Sequence, residues 1–160
     1  MAAGSLFVGD IQGSGMANVK TDFGIPFTDK PKSFTTSIQY LPEMYNNDLD
    51  KCDIYVLLQV REGSGDQEKR YRLATAWFRS DETMQTFETI DIPFLYGNHS
   101  DLKSYMLPSE NNEMMPEHGF APEDDTPTHI IVVYSSSFDG ANFKGGVGSE
   151  LRVKEFELKY

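Results

Sequence analysis

The chain has 160 residues, a net charge of −11 and one cysteine, Cys52, so a single domain is expected, with neither an internal disulfide nor a cysteine zinc cluster. Acidic side chains outnumber basic ones by 25 to 14, which argues against nucleic-acid binding because phosphate neutralisation requires clustered Lys and Arg. The longest uninterrupted apolar runs, Ile54 to Leu58 and Ile130 to Tyr134, have five residues each, which is the length of a strand, and we expect no membrane insertion by this domain.

Alternation of apolar and polar residues with period two dominates the chain and predicts an all-β protein. Seven strands bounded by turn residues favour a β-sandwich. In chain order, the predicted strands are 5–8, 33–40, 53–60, 71–78, 86–96, 129–136 and 150–160.

Local patterns add detail to three of these strands. The run from Ile54 to Val60 is almost continuously apolar, which predicts a central strand covered on both faces. The glycine-containing segment 62–69 predicts a hairpin tip between two strands. In the last strand the apolar residues change parity, which predicts a β-bulge near Lys154 and Glu155.

A long acidic loop is predicted at 97–128, where no period is sustained. The stretch from Ser104 to Phe143 contains seven acidic residues and no Lys or Arg, so much of the charge imbalance lies there. Loops of this length are often functional, and a specific function would be added to the fold at this place.

Two sets of carboxylates are candidates for chemistry. Glu155 and Glu157 share a strand face at a spacing of about 7 Å, within the range used by glycoside hydrolases, although alternating exposed acids are also typical of a half-buried strand. Asp48, Asp50 and Asp53 form an acidic cluster with the composition of a calcium site, in which Asp48 and Asp50 are the candidate ligands. An EF-hand loop starting at Asp48 would need glycine at position 53, and one starting at Asn46 would need it at position 51, so neither fits. A looser calcium site and a solvated turn both remain open for this pair.

Aromatic side chains are candidates for ligand binding, because sugar rings present apolar C–H faces to them. Trp77, the only tryptophan, either fills the core or lies on a binding surface. Tyr40 and Tyr96 are predicted at strand ends, where they would be available to a ligand.

The C-terminal third carries a more specific pattern, from Ile130 through Ser135, Ser136 and Ser137 to Gly140, Gly145 and Gly148. With the upstream strings 6–9, 24–27, 50–55 and 92–96, it resembles the putative carbohydrate metabolism domain (PCMD) family over nearly the whole chain. The resemblance implies a jelly-roll β-sandwich like carbohydrate-binding modules, in an exported protein of gut bacteria.

The glycines of this pattern are expected to serve a tight connection by positive φ or close backbone approach. At its start, Asp139 and Asn142 are candidates to hydrogen-bond sugar hydroxyls.

The leading hypothesis is a non-catalytic domain that binds a polysaccharide or oligosaccharide. The alternatives are a glycoside hydrolase or carbohydrate esterase that uses acids of the 97–128 loop with Glu155 or Glu157, and a structural or adhesion module. From the resemblance we expect a periplasmic or cell-surface location and attachment to further domains of a longer chain.

Overall fold

The structure is a computed structural model that describes residues 4–12 and 20–160. It contains strands and three short 3₁₀ helices, Gly65–Gln67, Ser104–Met106 and Gly140–Asn142. The strands, in chain order, are β1 (Ser5–Phe7), β2 (Gly9–Gln12), β3 (Lys20–Phe23), β4 (Ile25–Pro26), β5 (Ser33–Leu41), β6 (Met44–Tyr45), β7 (Asp48–Leu49), β8 (Cys52–Glu62), β9 (Lys69–Ser80), β10 (Glu88–Pro93), β11 (Leu95–Tyr96), β12 (His129–Ser135) and β13 (Glu150–Lys159). The prediction of an all-β protein is therefore confirmed.

Two antiparallel sheets form the body of the domain. The larger has the strand order β1-β12-β8-β9-β11, with β4 also paired to β12, and the smaller has the order β10-β5-β13. Strands β2 and β3 form a separate hairpin, as do β6 and β7.

The main core lies between these two sheets. Its buried side chains include Phe34 and Ile38 from the smaller sheet, and Ile54, Val56 and Val132 from the larger one. Residues two apart on each strand share a face, so alternate positions of β5, β8 and β12 enter this common core. The sheets pack as layers of a sandwich, and the finer jelly-roll topology stays a prediction.

The three local predictions are confirmed. Strand β8 lies between β12 and β9 and is buried on both faces over most of its length. The segment after it forms the turn of the β8–β9 hairpin. In β13 the register against β5 shifts between Val153 and Glu155, which makes Lys154 the extra residue of the bulge.

The predicted strand 86–96 is two strands in the structure. Strand β10 pairs with β5 in the smaller sheet, while β11 pairs with β9 in the larger one. The chain changes sheets at Pro93 and Phe94, and a proline is tolerated there because β10 is an edge strand.

The other face of the larger sheet is also covered. Leu57, Ile131 and Val133 form a second apolar cluster on it with Phe23 and Met115. This outer cluster explains why β8 and β12 are apolar on both faces. In the described residues, no helix has the length and apolar character needed to cross a membrane.

Candidate functional site

A concave cleft of about 380 Å³ opens on the outer face of the larger sheet. Three parts of the chain form its walls: the N-terminal strands at Phe7 and Phe23, the acidic loop at Asn112 to Met115, and the segment 137–143. Its size and mixed apolar and polar lining are typical of small-ligand sites. We call this feature the outer cleft.

Asp53 is the carboxylate that lines the outer cleft. Strand β8 places it opposite Arg79 of β9, whose guanidinium donates to both carboxylate oxygens, at 3.0 and 2.7 Å. The indole N–H of Trp77 donates to the same carboxylate at 2.5 Å. Burial raises the pKa of Asp53 above its ordinary value, although these donors oppose the shift.

Aromatic rings hold Arg79 in place. Its guanidinium carbon lies 4.0 Å from the ring centre of Tyr105 and 4.9 Å from that of Phe138. Cation–π contacts of this kind add to the ion pair with Asp53, so the orientation of that carboxylate is fixed. The acidic loop, which carries Tyr105, thereby helps to position Asp53 in the cleft.

Phe143 stands at the rim of the outer cleft in an unusual backbone conformation. It has φ of 57° and ψ of 30°, in the left-handed region, immediately after the 3₁₀ helix Gly140–Asn142. Its side chain is 70% exposed although it lines the cleft. A bulky residue is disfavoured in this conformation, and strained residues of this kind cluster at ligand-binding sites.

The loop that carries Phe143 is anchored by Asp50. This buried carboxylate accepts hydrogen bonds from the Ser137 hydroxyl and the Gly146 amide, each at 2.9 Å, and from the Lys51 amide at 2.8 Å. A Cβ on Gly146 would lie 2.5 Å from the carbonyl oxygen of Glu43, so close backbone approach requires glycine there. The close backbone approach expected of the glycines in this connection is therefore found at Gly146.

Asp48 and Asp50, the two aspartates predicted as calcium ligands, lie in different environments. Asp50 is buried and its oxygens are held by the loop donors, whereas Asp48 is exposed in the β6–β7 hairpin. No group of three or more His, Cys, Asp or Glu side chains is placed to hold a metal within residues 4–12 and 20–160. Asp50 is accounted for as a structural carboxylate.

The two tyrosines predicted to bind a ligand lie in different environments. Tyr40 is fully buried in the main core and its hydroxyl donates to the Ser136 carbonyl at 3.0 Å, so the expectation that it is available to a ligand was wrong. Tyr40 lies an even number of residues from Phe34 and Ile38 on β5, so its side chain points to the same inward face. Tyr96 is half-buried beside that core, under the amine of Lys30, and donates to the Pro31 carbonyl at 2.7 Å.

Trp77 neither fills the main core nor lies fully exposed on a binding surface. It is half-buried in the outer cluster, with its ring centre 4.3 Å from that of Tyr55, and it supports the cleft through Asp53. Asp139 and Asn142 hydrogen-bond to each other at 2.7 Å, in the loop that carries Phe143. This pair shapes the loop whose neighbouring residues line the cleft.

The carboxylates of the hydrolase alternative do not meet in the outer cleft. The acidic loop contributes Asn112, Met114 and Met115 to its lining, none of them a carboxylate. Glu155 and Glu157 are exposed on β13 in the other sheet, and Glu155 lines a separate groove.

Sequence reasoning missed Phe138 and Phe143 as members of a site, and it placed Asp53 in an acidic cluster with Asp48 and Asp50, not in a ligand cleft. Asp53 stands at the start of an apolar strand, and an acidic side chain that is buried there needs a charged or hydrogen-bonding partner. Phe143 lies between Asn142 and Lys144 in a glycine-rich segment without periodicity, and an aromatic residue in such a segment is the signal that was available.

Comparison with known proteins agrees with this architecture. The family model described as "Putative carbohydrate metabolism domain" matches residues 1–159. The chain belongs to this family. Among curated proteins, no sequence matches the chain.

Solved structures similar to this PCMD chain include two from Bacteroides, each described as a putative glycoside hydrolase. The structure from Bacteroides thetaiotaomicron has a TM-score of 0.70 and 20% identity, with coverage of 99% of this chain and 47% of that one. The structure from Bacteroides vulgatus has a TM-score of 0.67 and 20% identity, with coverage of 98% and 64%. This likeness shows the fold, and the chain spans about half to two thirds of those longer chains.

Proposed function

We propose that this domain binds carbohydrate in the outer cleft, as a recognition module of a longer exported protein. The observation that carries the proposal is Phe143, an exposed aromatic ring held at the cleft rim in a strained backbone conformation. Burial of an apolar side chain cannot explain that strain, whereas stacking on the apolar face of a sugar would use it. Membership of a family described by carbohydrate metabolism supports the same class of ligand.

The polar lining supplies partners for sugar hydroxyls. Asp53 and Ser135 line the cleft from the sheet, and Asn112 lines it from the loop wall. A carboxylate that is already oriented by Arg79 and Trp77 accepts hydrogen bonds without a further ordering cost. The Asn112 side-chain NH2 can donate to a sugar oxygen, because its carbonyl oxygen already accepts from Met114 and Met115, and the Asp53 carboxylate can accept from a sugar hydroxyl.

The charge of the lining favours a neutral glycan. Asp53 is the charged side chain among the described lining residues, and its positive partner Arg79 is engaged by both carboxylate oxygens. A uronic acid or a sulfated sugar would bring a second negative charge without an added cation, which costs free energy in a partly desolvated site. We therefore expect neutral oligosaccharides to bind more tightly than acidic ones of equal length.

Binding is preferred over hydrolysis because glycosidases use a pair of facing carboxylates. The described lining of the outer cleft provides one, Asp53, in an ion pair. The similar Bacteroides structures are described as putative glycoside hydrolases, and both are longer chains, of which this domain matches 47% and 64%.

Calorimetric titration with a panel of neutral and acidic oligosaccharides tests the proposal. The wild-type protein is expected to bind at least one neutral glycan, and Phe143→Ala is expected to weaken that binding at least tenfold. Phe87→Ala is the matched control, because Phe87 is also exposed but lies outside the cleft lining. Absence of binding across the panel, or equal affinities for the wild type and F143A, would contradict carbohydrate binding in the outer cleft.

The proposed exported location has a separate test. Immunoblotting of periplasmic, surface and cytosolic fractions from the native host is expected to detect the protein outside the cytosol. Exclusive recovery in the cytosol would refute the location without bearing on the cleft.

A further inference from the structure

One side of the sandwich ends in an open strand edge. The ten-residue strand β13 is the last strand of the smaller sheet, and no strand among the described residues pairs with its outer edge. Unpaired N–H and C=O groups on a long edge strand are a template for pairing with another strand.

An apolar groove runs beside this edge. Its volume is about 390 Å³, and Leu6, Val132, Val153 and Phe156 are among the residues that line it, where the larger sheet also ends at β1. Leu6 is 60% exposed and Phe156 is 40% exposed. Exposed apolar side chains next to an unpaired edge mark an interaction surface.

The sequence of β13 is complementary to its own reverse. In an antiparallel pair of two copies centred between Lys154 and Glu155, every charged residue faces the opposite charge and every apolar residue faces an apolar one. The pairs are Glu150 with Lys159, Leu151 with Leu158, Arg152 with Glu157, Val153 with Phe156, and Lys154 with Glu155.

The bulge makes this register consistent with the faces of the sheet. Residues directly opposite each other in an antiparallel pair project to the same face. Val153 and Phe156 are three residues apart, so in a regular strand their side chains would point to different faces of the sheet. Because Lys154 is an extra residue, Val153 and Phe156 both belong to the apolar set, as Leu151 and Leu158 do.

We propose that β13 pairs with β13 of a second copy in this register, which joins the two smaller sheets into one sheet across a two-fold axis. A two-fold interface is self-complementary, so each unlike pair occurs twice. Phe156 of the second copy would lie beside Val153, at the mouth of the apolar groove. Charged residues commonly protect edge strands, but here the order of the signs favours self-pairing.

Sedimentation velocity across the micromolar range tests this pairing. The wild-type chain is expected to shift from monomer to dimer as the concentration rises. Arg152→Glu places Glu opposite Glu157 of the second copy at two positions, so the dissociation constant is expected to increase roughly tenfold or more.

The charge exchange distinguishes pairing from an unrelated loss of structure. Arg152→Glu combined with Glu157→Arg restores both unlike pairs and is expected to recover the wild-type dimer. Glu88→Lys, on the opposite edge strand β10, is the control and should leave the dimer unchanged. Circular dichroism checks that each variant is folded.

A wild-type chain that stays monomeric throughout, a dimer insensitive to R152E, or a double variant that fails to recover dimerisation would overturn the proposal. The oligomeric state is read without any glycan, so its outcome is independent of ligand binding in the outer cleft.

Discussion

Arg72 of β9 and Glu117 of the acidic loop form a bidentate ion pair in which each side chain is only 2% exposed. Gln59 donates to the same carboxylate at 2.6 Å, and the Arg72 guanidinium also donates to the Met106 carbonyl at 3.0 Å. The backbone of Arg72 is hydrogen-bonded to both Gly119 and Ala121. This network attaches the long loop to the larger sheet and so fixes one wall of the outer cleft.

Glu117→Gln is expected to destabilise the domain by about 3 kcal/mol or more, because it leaves the buried Arg72 without its counter-charge. Urea unfolding at neutral pH measures the change. The exposed Glu113 lies in the same loop, so Glu113→Gln is the matched control and should alter stability little. Equal effects of the two substitutions would show that the buried pair does not secure the loop.

Phe143→Gly separates stability from binding. Glycine adopts the left-handed conformation without a Cβ penalty, and little packing is lost because Phe143 is mostly exposed. The free energy of unfolding should therefore stay the same or rise by up to about 1 kcal/mol, while glycan affinity is lost.

The control for this effect is Asn46, the other described non-glycine residue with positive φ, at 58°. Asparagine tolerates that conformation, so Asn46→Gly should change both quantities little. A clear loss of stability in F143G would mean that the ring packs against the protein and is not held for a ligand.

His129 predicts a pH dependence of stability. Burial, assisted by the positive charge of Arg61, lowers its pKa below the ordinary 6.5. The unfolded chain then binds a proton at a higher pH than the folded one, so stability is lost as the pH falls through 6.5. Urea titrations above and below that pH should show this slope reduced in His129→Gln, and an unchanged slope in the variant would exclude His129 as its source.

Much of the fold was predictable because the long strands carry a strong period. The apolar run of β8 and the parity change of β13 each have one structural solution, a doubly covered strand and a bulge. The short pairs β2–β3 and β6–β7 escaped prediction because two to four residues do not establish a period.

The site was harder to predict because it depends on contacts between distant residues. Tyr40 and Trp77 are both aromatic residues on strands, and only the packing of the two sheets assigns one to the main core and the other to the outer cluster. The ion pair of Asp53 with Arg79 spans a hairpin, and the position of Phe143 depends on the anchoring of its loop by Asp50. These contacts arise from tertiary structure, and the local sequence marks at most the residue types involved.

Mapping of a bound neutral oligosaccharide by amide chemical shifts tests the central claim most directly. The largest shifts are expected at Asp53, Tyr55, Ser135, Ser137 and Phe143, with small changes along β13. Shifts concentrated at Val153 to Phe156, or no shifts with any neutral or acidic glycan at saturating concentration, would contradict carbohydrate binding in the outer cleft.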